Sequence, residues 1–574
     1  MNSDFDKAKI LYKKGKIFES KEICNKILIK DSKHIQSLHL LALIELQLSK
    51  YSECIELINK SIELNKNEPS FYFIKGLAHH ELKYFDLAVK NYNKAIELKF
   101  DYSEVFLNLG NTQKVKGNLN QALINYNKAI EFQPDYADAH NNKGLVLHEL
   151  KKFDASIETY NRAINIDHNF AYAYNNLGNV LQEIEKFKSA IECYDKAISI
   201  EYDFFDPHYN KGIALNEIKK FSLAIKSYDE AIKINNKNAD VYRNKANSLF
   251  EIKKLDLASE NYDKALKINS ELDYLLCASF FTKNTLCDWK NYNQNYERLK
   301  KKTLNKHKAS MPFNILSIFN SPSIQKLASE INLKHKFKNK KKNTKINIKI
   351  KNKKLRIGYY SGDFREHVMS GLFVHLFELH DKSKFEIIGF SFGPEKKDEM
   401  RDRITASFDE FHDVRLKSDS EIVNLSRDLN IDIAIDLMCF TINSRFGIFI
   451  ERCAPIQINF LGYPGTSGSD CMDYILADKT VIPKKFEKYY SEKIIFMPDT
   501  YKLDHPHRKV SDKNFTREEL GLPKDGFVFC CFNKTYKITP DIFDIWMNIL
   551  KHTKNSVLWL FNDENNLSAK KNLL

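Results

Sequence analysis

The sequence predicts an α-helical solenoid followed by an α/β region built on a parallel sheet. Residues 1–272 repeat with a period of 34 residues and without an insertion, and a period of this length indicates stacked helix pairs. From Leu355 onward, short β-rich runs alternate with helical stretches, a pattern typical of a parallel sheet covered by helices on both faces. A helical hinge and a lysine-rich linker are expected between the two regions, over residues 273–354.

Composition narrows the class of protein. The chain has 574 residues, of which 43% are apolar and 29% are charged, and this balance excludes a chain that is disordered throughout. No apolar run is long enough to span a membrane, and the first residues lack the apolar block of a secretory signal. The ten cysteines form no C-x-x-C pair and no zinc-type spacing, which favours reduced thiols. We therefore expect a cytoplasmic protein without a membrane partner.

The net charge of +14 is concentrated in one segment. Residues 334–354 contain eleven lysines and no acidic residue, and the remainder of the chain is nearly balanced. One interpretation is a solvated linker, and the other is an electrostatic patch for an acidic partner or nucleic acid. Phe337 is the segment's one aromatic residue, which argues against a stacking platform for bases. We favour the linker and do not expect nucleic-acid binding.

Small residues and tyrosines recur at fixed positions of the repeat. The eighth position is occupied by Ala8, Ala42, Gly76, Gly110, Gly144, Gly178, Gly212 and Ala246, and the twenty-fourth by Tyr92, Tyr126, Tyr160, Tyr194, Tyr228 and Tyr262. A small residue lets the two helices of a pair approach closely, and tyrosine fills the remaining space. Each pair cannot bury its apolar face alone, so neighbouring pairs stack into a superhelix. The pattern resembles tetratricopeptide repeats, about eight of them.

The sixth position of five successive repeats is asparagine. These residues are Asn108, Asn142, Asn176, Asn210 and Asn244. The position lies on the first helix of each pair, which lines the concave surface of such superhelices. Because an amide both donates and accepts hydrogen bonds, a row of them would bind the backbone of an extended peptide. The alternative is a merely solvated position in an asparagine-rich chain. The repeats are also expected to support a homodimer.

Three motifs follow predicted strands in the second half. The predicted strands are Leu355–Tyr360, Phe385–Phe392, Ile431–Leu437, Ile456–Leu461, Lys493–Met497, Phe527–Phe532 and Ser556–Phe561. Residues 361–367 read S-G-D-F-R-E-H, residues 462–468 read G-Y-P-G-T-S-G and residues 533–540 read N-K-T-Y-K-I-T-P. Ligands of parallel sheets bind beyond the carboxyl ends of the strands, so these motifs predict the functional site.

These motifs resemble the catalytic region of O-linked N-acetylglucosamine transferases, which also carry N-terminal tetratricopeptide repeats. The resemblance covers nearly the whole chain. It implies two facing Rossmann-like lobes of GT-B type, over residues 355–510 and 511–574, with a sugar nucleotide between them. It also implies sugar transfer from a UDP-sugar to Ser or Thr of proteins, with the repeats recognising protein or peptide substrates. No D-x-D pair follows residue 355, so no metal or other cofactor is expected.

The resemblance assigns roles to individual residues. It implies a phosphate-contacting role for Lys537, which precedes a predicted helix at Asp541–Lys551 opened by Thr539 and Pro540; an ammonium group beside a helix N-terminus favours anions. The alternative is a solvated surface lysine.

The loop after the first strand carries two further candidates. The resemblance places Asp363 and His367 in the cleft, near the acceptor and the donor phosphates. His367 is a natural proton acceptor near neutral pH, and Asp363 could relay or orient the proton; a structural histidine and a loop-capping aspartate are the alternatives. The choice of proton acceptor stays open. Gly462 and Pro464, in the glycine-rich turn, are expected to contact the donor, and a plain tight turn is the alternative.

Two departures from the family pattern are visible. Residues 439–441 read C-F-T where the family usually has G-Y-T, so one tyrosine hydroxyl is lost. The second lobe begins near Phe515 and stops at Leu574 without the family's later H-T-T-G-x-x-D element. We therefore expect an incomplete lobe, from a fragment or a natural truncation, that binds UDP weakly or not at all. The alternative functions are a repeat scaffold with an inactive catalytic half, or a transferase with another donor, such as a fucose nucleotide.

Overall fold

The computed structural model describes residues 2–338, 353–394, 396–503, 512–561 and 563–574. The chain divides into two compact units, Met1–Asn236 and Lys237–Leu574. This division falls one repeat earlier than the end of the 34-residue period at residue 272. Most of the predicted lysine-rich linker lies outside the described residues. No helix in the described ranges is both long enough and apolar enough to cross a membrane.

Seven helix pairs form the described part of the first unit. Their bounds are α1 Asn2–Lys13, α2 Ile17–Lys30, α3 Ile35–Gln47, α4 Tyr51–Leu64, α5 Pro69–Glu81, α6 Phe85–Leu98, α7 Ser103–Val115, α8 Leu119–Phe132, α9 Ala137–Glu149, α10 Phe153–Ile166, α11 Ala171–Glu183, α12 Phe187–Ile200, α13 Phe205–Glu217 and α14 Phe221–Ile234. The two helices of each pair contact each other, and the first helices of successive pairs also contact one another. The predicted stack of repeated helix pairs is confirmed.

Glycine at the eighth position and tyrosine at the twenty-fourth make the closest contact within a repeat. A Cβ atom added to Gly178 would lie 2.5 Å from Cε1 of Tyr194, and the same clash recurs at the other four glycine-tyrosine pairs. Tyr194 is fully buried. The ring therefore packs directly on the backbone of the facing helix, as the small residues predicted.

This contact gives a stability prediction. Gly178→Val should destabilise the array by about 1–3 kcal/mol, because the added methyl groups collide with the Tyr194 ring. Denaturant unfolding of the full chain, followed by circular dichroism, measures the effect. If the clash is the cause, adding Tyr194→Ala should make the double variant less destabilised than the sum of the single variants. Strictly additive effects would contradict this explanation.

The second unit begins with helices. The last repeat is formed by α15 (Ala239–Glu251) and α16 (Leu255–Ile268), and α17 (Leu275–Thr285), α18 (Tyr292–Leu304), α19 (Pro312–Ile315) and α20 (Pro322–Lys336) follow. Helices α17 to α20 lie in the part of the chain where the sequence predicted a helical hinge. Helix α20 packs on the glycine-rich turn, where Ser329 Oγ donates to the carbonyl oxygen of Thr466 at 3.0 Å.

A seven-stranded parallel sheet follows, in the order β3-β2-β1-β4-β5-β6-β7. The strands are β1 Leu355–Ser361, β2 Phe385–Ser391, β3 Glu410–Asp413, β4 Ile433–Asp436, β5 Ile456–Phe460, β6 Tyr474–Ala477 and β7 Lys493–Phe496, and the helices between them are α21 Val368–Glu378, α22 Glu399–Ser407, α23 Asp419–Asp428 and α24 Gly447–Ile450. The predicted parallel α/β region is confirmed. Strands β3 and β6 were not predicted. Because the strand order reverses between β1 and β4, their carboxyl ends form the crevice where ligands of such sheets bind.

A separate two-stranded parallel sheet ends the unit. Strand β8 (Val528–Cys531) pairs with β9 (Val557–Leu560), α25 (Pro540–His552) connects them, and α26 (Leu567–Leu573) follows. The carbonyl oxygen of Thr285, at the end of α17, accepts from Thr535 Oγ1 at 2.6 Å and from Asn566 Nδ2 at 2.7 Å. The segment with the predicted lysine site is thus held by the helical hinge.

Candidate functional site

The motif loops meet at the carboxyl edge of the seven-stranded sheet. Residues 361–367 follow β1, residues 437–441 follow β4 and residues 462–468 follow β5. In the sheet register, Asp436 pairs with Tyr360 of β1 and with Asn459 of β5. The structure therefore brings the β1 and β5 motifs to one side of the sheet, around the reversal in strand order.

Asp363 and His367 lie side by side in the loop after β1. Nδ1 of His367 is 3.5 Å from Oδ2 of Asp363. His367 also occupies the N-cap position of α21, where Nδ1 accepts a hydrogen bond from the Met369 N–H at 3.3 Å. With its Nδ1 lone pair engaged, the neutral imidazole carries its proton on Nε2. The cap therefore fixes the tautomer and makes Nε2 a donor.

The carboxyl group of Asp363 is partly buried, and burial raises its pKa. The charge of Arg365 opposes this shift in pKa, as does that of His367 when its imidazole is protonated, and Nη2 of Arg365 lies 3.6 Å from Oδ1 of Asp363. The Asp363 backbone N–H donates to Ser361 Oγ at 3.0 Å, so the main chain at Asp363 is fixed by its own turn. Burial therefore makes the carboxylate of Asp363 a better proton acceptor than an exposed one, and it lies beside the imidazole of His367.

Asp436, at the end of β4, is a site residue that the sequence reasoning missed. It is 1% exposed, and its Oδ1 accepts from the N–H groups of Met438 and Cys439 at 2.9 and 3.1 Å. Its Oδ2 has no hydrogen-bond partner among the described residues, and neither has the buried Oδ1 of Asn459. Burial raises the pKa of Asp436 to about 6. An aspartate that ends an apolar strand and precedes a loop was the available signal.

The C-F-T departure has a packing explanation. Cys439 is fully buried and has a φ of 48°, a conformation that favours glycine. The Phe440 ring lies 5.3 Å, centroid to centroid, from both Phe446 and Tyr463. Phe440 therefore belongs to an aromatic cluster behind the loop, where a phenol hydroxyl would need a polar partner.

The buried carboxyl group of Asp436 predicts a pH dependence of stability. Its raised pKa means that the folded state binds the proton more tightly than the unfolded state does. The resulting contribution to the free energy of unfolding is fully present below about pH 4 and is lost as the pH rises through about 6. Relative to Asp436→Asn, the free energy of unfolding should fall by about 3 kcal/mol between about pH 4 and pH 8, since one pKa unit corresponds to about 1.4 kcal/mol. Urea unfolding at several pH values measures this difference.

Asp478→Asn is the matched control. The backbone N–H groups of Val481 and Tyr501 hold the pKa of Asp478 below its usual range, so Asp478 stays ionised at both ends of the series. Its substitution should shift stability by a constant amount across that pH range. A constant difference for Asp436→Asn as well would contradict the assignment of a raised pKa to Asp436.

The glycine-rich turn is shaped by contacts within the protein. A Cβ atom on Gly462 would collide with the carbonyl oxygen of Leu437, at the end of β4, so glycine allows the two loops to touch. Gly468 has a φ of 69° and faces the backbone of α20. The carbonyl oxygen of Pro464 accepts from the Tyr490 hydroxyl at 3.1 Å. These contacts match the tight-turn alternative, and donor contact by Gly462 and Pro464 stays a prediction.

Lys537 ends a short 3-10 turn at Thr535–Lys537, and its side chain is exposed. Among the described residues, no hydrogen bond or ion pair joins it to Asp363 or His367. Helix α25 begins at Pro540, as predicted, and Thr539 occupies the N-cap position. The prediction placed Thr539 correctly at the start of the helix, but its side chain makes no capping hydrogen bond.

The asparagine row is a network that links successive repeats. Asn142 Nδ2 donates to Asn111 Oδ1 and Asn176 Nδ2 to Asn141 Oδ1, each at 3.0 Å. Asn210 Nδ2 likewise donates to Asn175 Oδ1 at 3.2 Å and to Asn179 Oδ1 at 3.0 Å. Asn108 differs, because its Nδ2 donates to the carbonyl oxygen of Glu104 in the same helix at 2.9 Å. Asn244 is half-buried in α15 of the second unit. The sequence did not reveal this packing role, and peptide binding stays a prediction.

Comparison with known families matches both halves of the chain. The model of glycosyl transferase family 41 matches residues 286–514 and 508–568. Tetratricopeptide-repeat models match residues 35–68, 69–102, 115–151, 144–185, 171–201, 205–238 and 239–272.

Individual relatives match parts of the chain. The probable UDP-N-acetylglucosamine–peptide N-acetylglucosaminyltransferase SEC of Arabidopsis thaliana is 38% identical over 213 residues, which is 36% of this chain and 22% of the relative. The UDP-N-acetylglucosamine–peptide N-acetylglucosaminyltransferase of Caenorhabditis elegans is 30% identical over 191 residues, 33% of this chain and 16% of the relative. The matches thus span about a fifth of these relatives. The solved structure of a Thermobaculum terrenum O-GlcNAc transferase mutant is 21% identical, with a TM-score of 0.45, over 70% of this chain and 71% of that one.

Proposed function

The chain combines tetratricopeptide repeats with a catalytic region that belongs to glycosyl transferase family 41, and on this premise we propose that it transfers a sugar from a UDP-sugar to Ser or Thr hydroxyls of proteins. The observation that carries the proposal is the placement of Asp363 and His367 at the crevice where the strand order reverses. The names of the plant and nematode relatives support UDP-N-acetylglucosamine as donor and peptides as acceptors.

The reaction makes two demands on the site. The acceptor hydroxyl must lose a proton, and the departing diphosphate needs its charge stabilised. His367 holds its proton on Nε2 and donates there, and the adjacent carboxylate of Asp363 is the proton acceptor. Lys537 supplies positive charge to the diphosphate, and Gly462 and Pro464 contact the donor. UDP-sugar is a co-substrate, and the proposal includes no metal or other cofactor.

The repeats select the acceptor. In this proposal the amides of Asn108, Asn142, Asn176, Asn210 and Asn244 contact the backbone of an extended peptide. Each NH2 group has two hydrogens, so Asn142 and Asn176, which each donate one bond to another repeat, retain a second hydrogen for the peptide. Asn210 donates to two other amides and would give up one of these bonds to donate to the peptide. A cytoplasmic location and a homodimer through the repeats complete the proposal.

A second candidate is a repeat scaffold with an inactive catalytic half. The exposed side chain of Lys537, which has no bond to the Asp363 loop in the described structure, favours it. The two functions differ in a direct assay, because a scaffold binds peptide but transfers no sugar. A donor panel containing UDP-N-acetylglucosamine and GDP-fucose also separates the two donor classes.

Lys537 provides the test of the transferase proposal. In a protein that extends this chain to a complete second lobe, labelled donor and an unstructured Ser/Thr peptide, incubated without added metal, should yield labelled peptide. Lys537→Ala should lower the turnover number by about 10²–10³, because the departing diphosphate loses a fixed charge. Lys534→Ala is the matched control, since Lys534 is exposed in the same segment and faces Asp563 at 3.4 Å; it should retain activity. Peptide binding without transfer from any donor would instead support the scaffold.

The asparagine row provides the test of peptide recognition. Replacement of Asn142, Asn176 and Asn210 by Ala should weaken peptide binding at least about tenfold, since three hydrogen bonds of about 1 kcal/mol each are lost. Calorimetric titration with an unstructured peptide measures this. The matched control set is Asn111, Asn141 and Asn175 replaced by Ala, which removes inter-repeat bonds but keeps the row. Equal affinity losses in both sets would assign the effect to packing and contradict peptide contact by the row.

A further inference from the structure

The loop that carries Asp363 and His367 is held by α22 and by the segment between β2 and α22. Three alternate residues of the loop, Gly362, Phe364 and Glu366, make the contacts, each through its backbone. The residues between them, Asp363, Arg365 and His367, interact with one another through side chains. The loop is thus anchored through its backbone, and its side chains include the candidate catalytic groups.

Arg401, in α22, makes the central contact. Its Nη1 donates to the carbonyl oxygen of Phe364 at 2.9 Å and to Ser391 Oγ, at the end of β2, at 2.5 Å. Its Nη2 lies 3.7 Å from Oδ2 of Asp413, at the end of β3, and the guanidinium carbon lies 4.5 Å from the centre of the Phe411 ring. A planar group with five N–H donors suits such a junction. One side chain therefore joins the loop to two strand ends.

Asp398 makes the second contact. Both of its carboxylate oxygens lie 2.9 Å from the backbone nitrogen of Glu366, the residue before His367, and share its N–H. Asp398 is also the N-cap of α22, where it accepts from the Arg401 N–H at 2.8 Å. The carboxylate thus fixes the helix start and the loop together, and these charge-assisted bonds bring the pKa of Asp398 below its usual range.

Close backbone approach makes the third contact. A Cβ atom on Gly393, which follows β2, would collide with the carbonyl oxygen of Gly362. Any larger residue would push the two loops apart. The three contacts lie at successive alternate positions, so they fix the direction of the loop as well as its place.

We propose that Arg401 and Asp398 are positioning residues, which hold the Asp363–His367 loop in its reactive arrangement without touching the substrate. The catalytic consequence rests on the proposed transferase function, but the structural consequence does not. Loss of the contacts that Arg401 and Asp398 make with the loop leaves the fold of the sheet intact and loosens the pairing of Asp363 with His367. Misplacement of reacting groups by about 1 Å can cost about 10²-fold in rate.

Arg401→Met in the full chain tests the proposal, with Arg403→Met as the matched control. Arg403 lies on the same helix, but its guanidinium pairs with Glu378, with Nε 2.6 Å from Oε1. Hydrogen exchange followed by mass spectrometry should show exchange in residues 362–367 accelerated about tenfold or more by Arg401→Met and unchanged by Arg403→Met. The turnover number should fall about ten- to hundredfold in Arg401→Met, with the KM for peptide little changed. Arg401→Lys should recover part of both losses.

Asp398→Asn keeps the test decisive if Arg401→Met fails to fold. Asparagine caps helices about as well as aspartate, so α22 is retained while Glu366 loses a charged acceptor. Faster loop exchange in a folded variant supports the proposal, and unchanged loop exchange in a folded Arg401→Met or Asp398→Asn overturns it. If hydrogen exchange in the loop is altered by the substitutions but the unsubstituted protein transfers no sugar, the result contradicts the proposed transferase function and leaves the structural role of the contacts supported. Full activity despite faster exchange would overturn the positioning role.

Discussion

Close contact with bare glycine backbone determines the spacing between elements in both the repeats and the loops of the α/β region. In the repeats, a buried tyrosine ring lies directly on a glycine of the facing helix. Interiors are packed as densely as organic crystals, so such a contact defines a distance that its neighbours must follow. Because the same pair recurs every 34 residues, each helix pair presents a nearly identical surface to the next. The stacking of the repeats therefore follows from the glycine–tyrosine contact, which is repeated in successive helix pairs.

The α/β region applies the same constraint to its loops. Glycines at positions 393 and 462 let the loops after β2 and β5 approach the loops after β1 and β4. The loops at the carboxyl edge therefore support one another, and backbone N–H groups that donate to the carboxylates of Asp398 and Asp436 complete the arrangement. Burial of Asp436 is energetically unfavourable, because its Oδ2 has no hydrogen-bond partner among the described residues. Functional sites often contain such costly buried groups.

The sequence predicted the features that depend on local pattern. The 34-residue period predicted the repeats. The β-rich runs predicted the main strands along the chain, and the end of the first strand predicted the loop that carries Asp363 and His367. Strand β3 was missed because its four residues, E-F-H-D, are mostly polar; β6 was missed because it is also only four residues long. Arg401 was missed because its role arises from partners on other elements, such as the carbonyl oxygen of Phe364. Asp436 was missed although it ends an apolar strand before a loop, because its burial depends on the neighbouring strands. Long-range contacts of this kind leave no regular spacing in one sequence.

The hydrogen bonds between asparagines of successive repeats constrain how this array can change in evolution. They connect residues 31 or 35 positions apart. Each bond therefore joins two successive 34-residue repeats, at positions that differ by no more than one helical turn. Loss or duplication of a complete 34-residue block returns every later asparagine to an equivalent neighbour. An insertion of another length within a helix, between a bonded asparagine and the residues that pack that helix on its neighbour, moves the amide to a different face. The network therefore favours growth and shortening of the array by whole repeats, and lineages should differ in repeat number more readily than in repeat length.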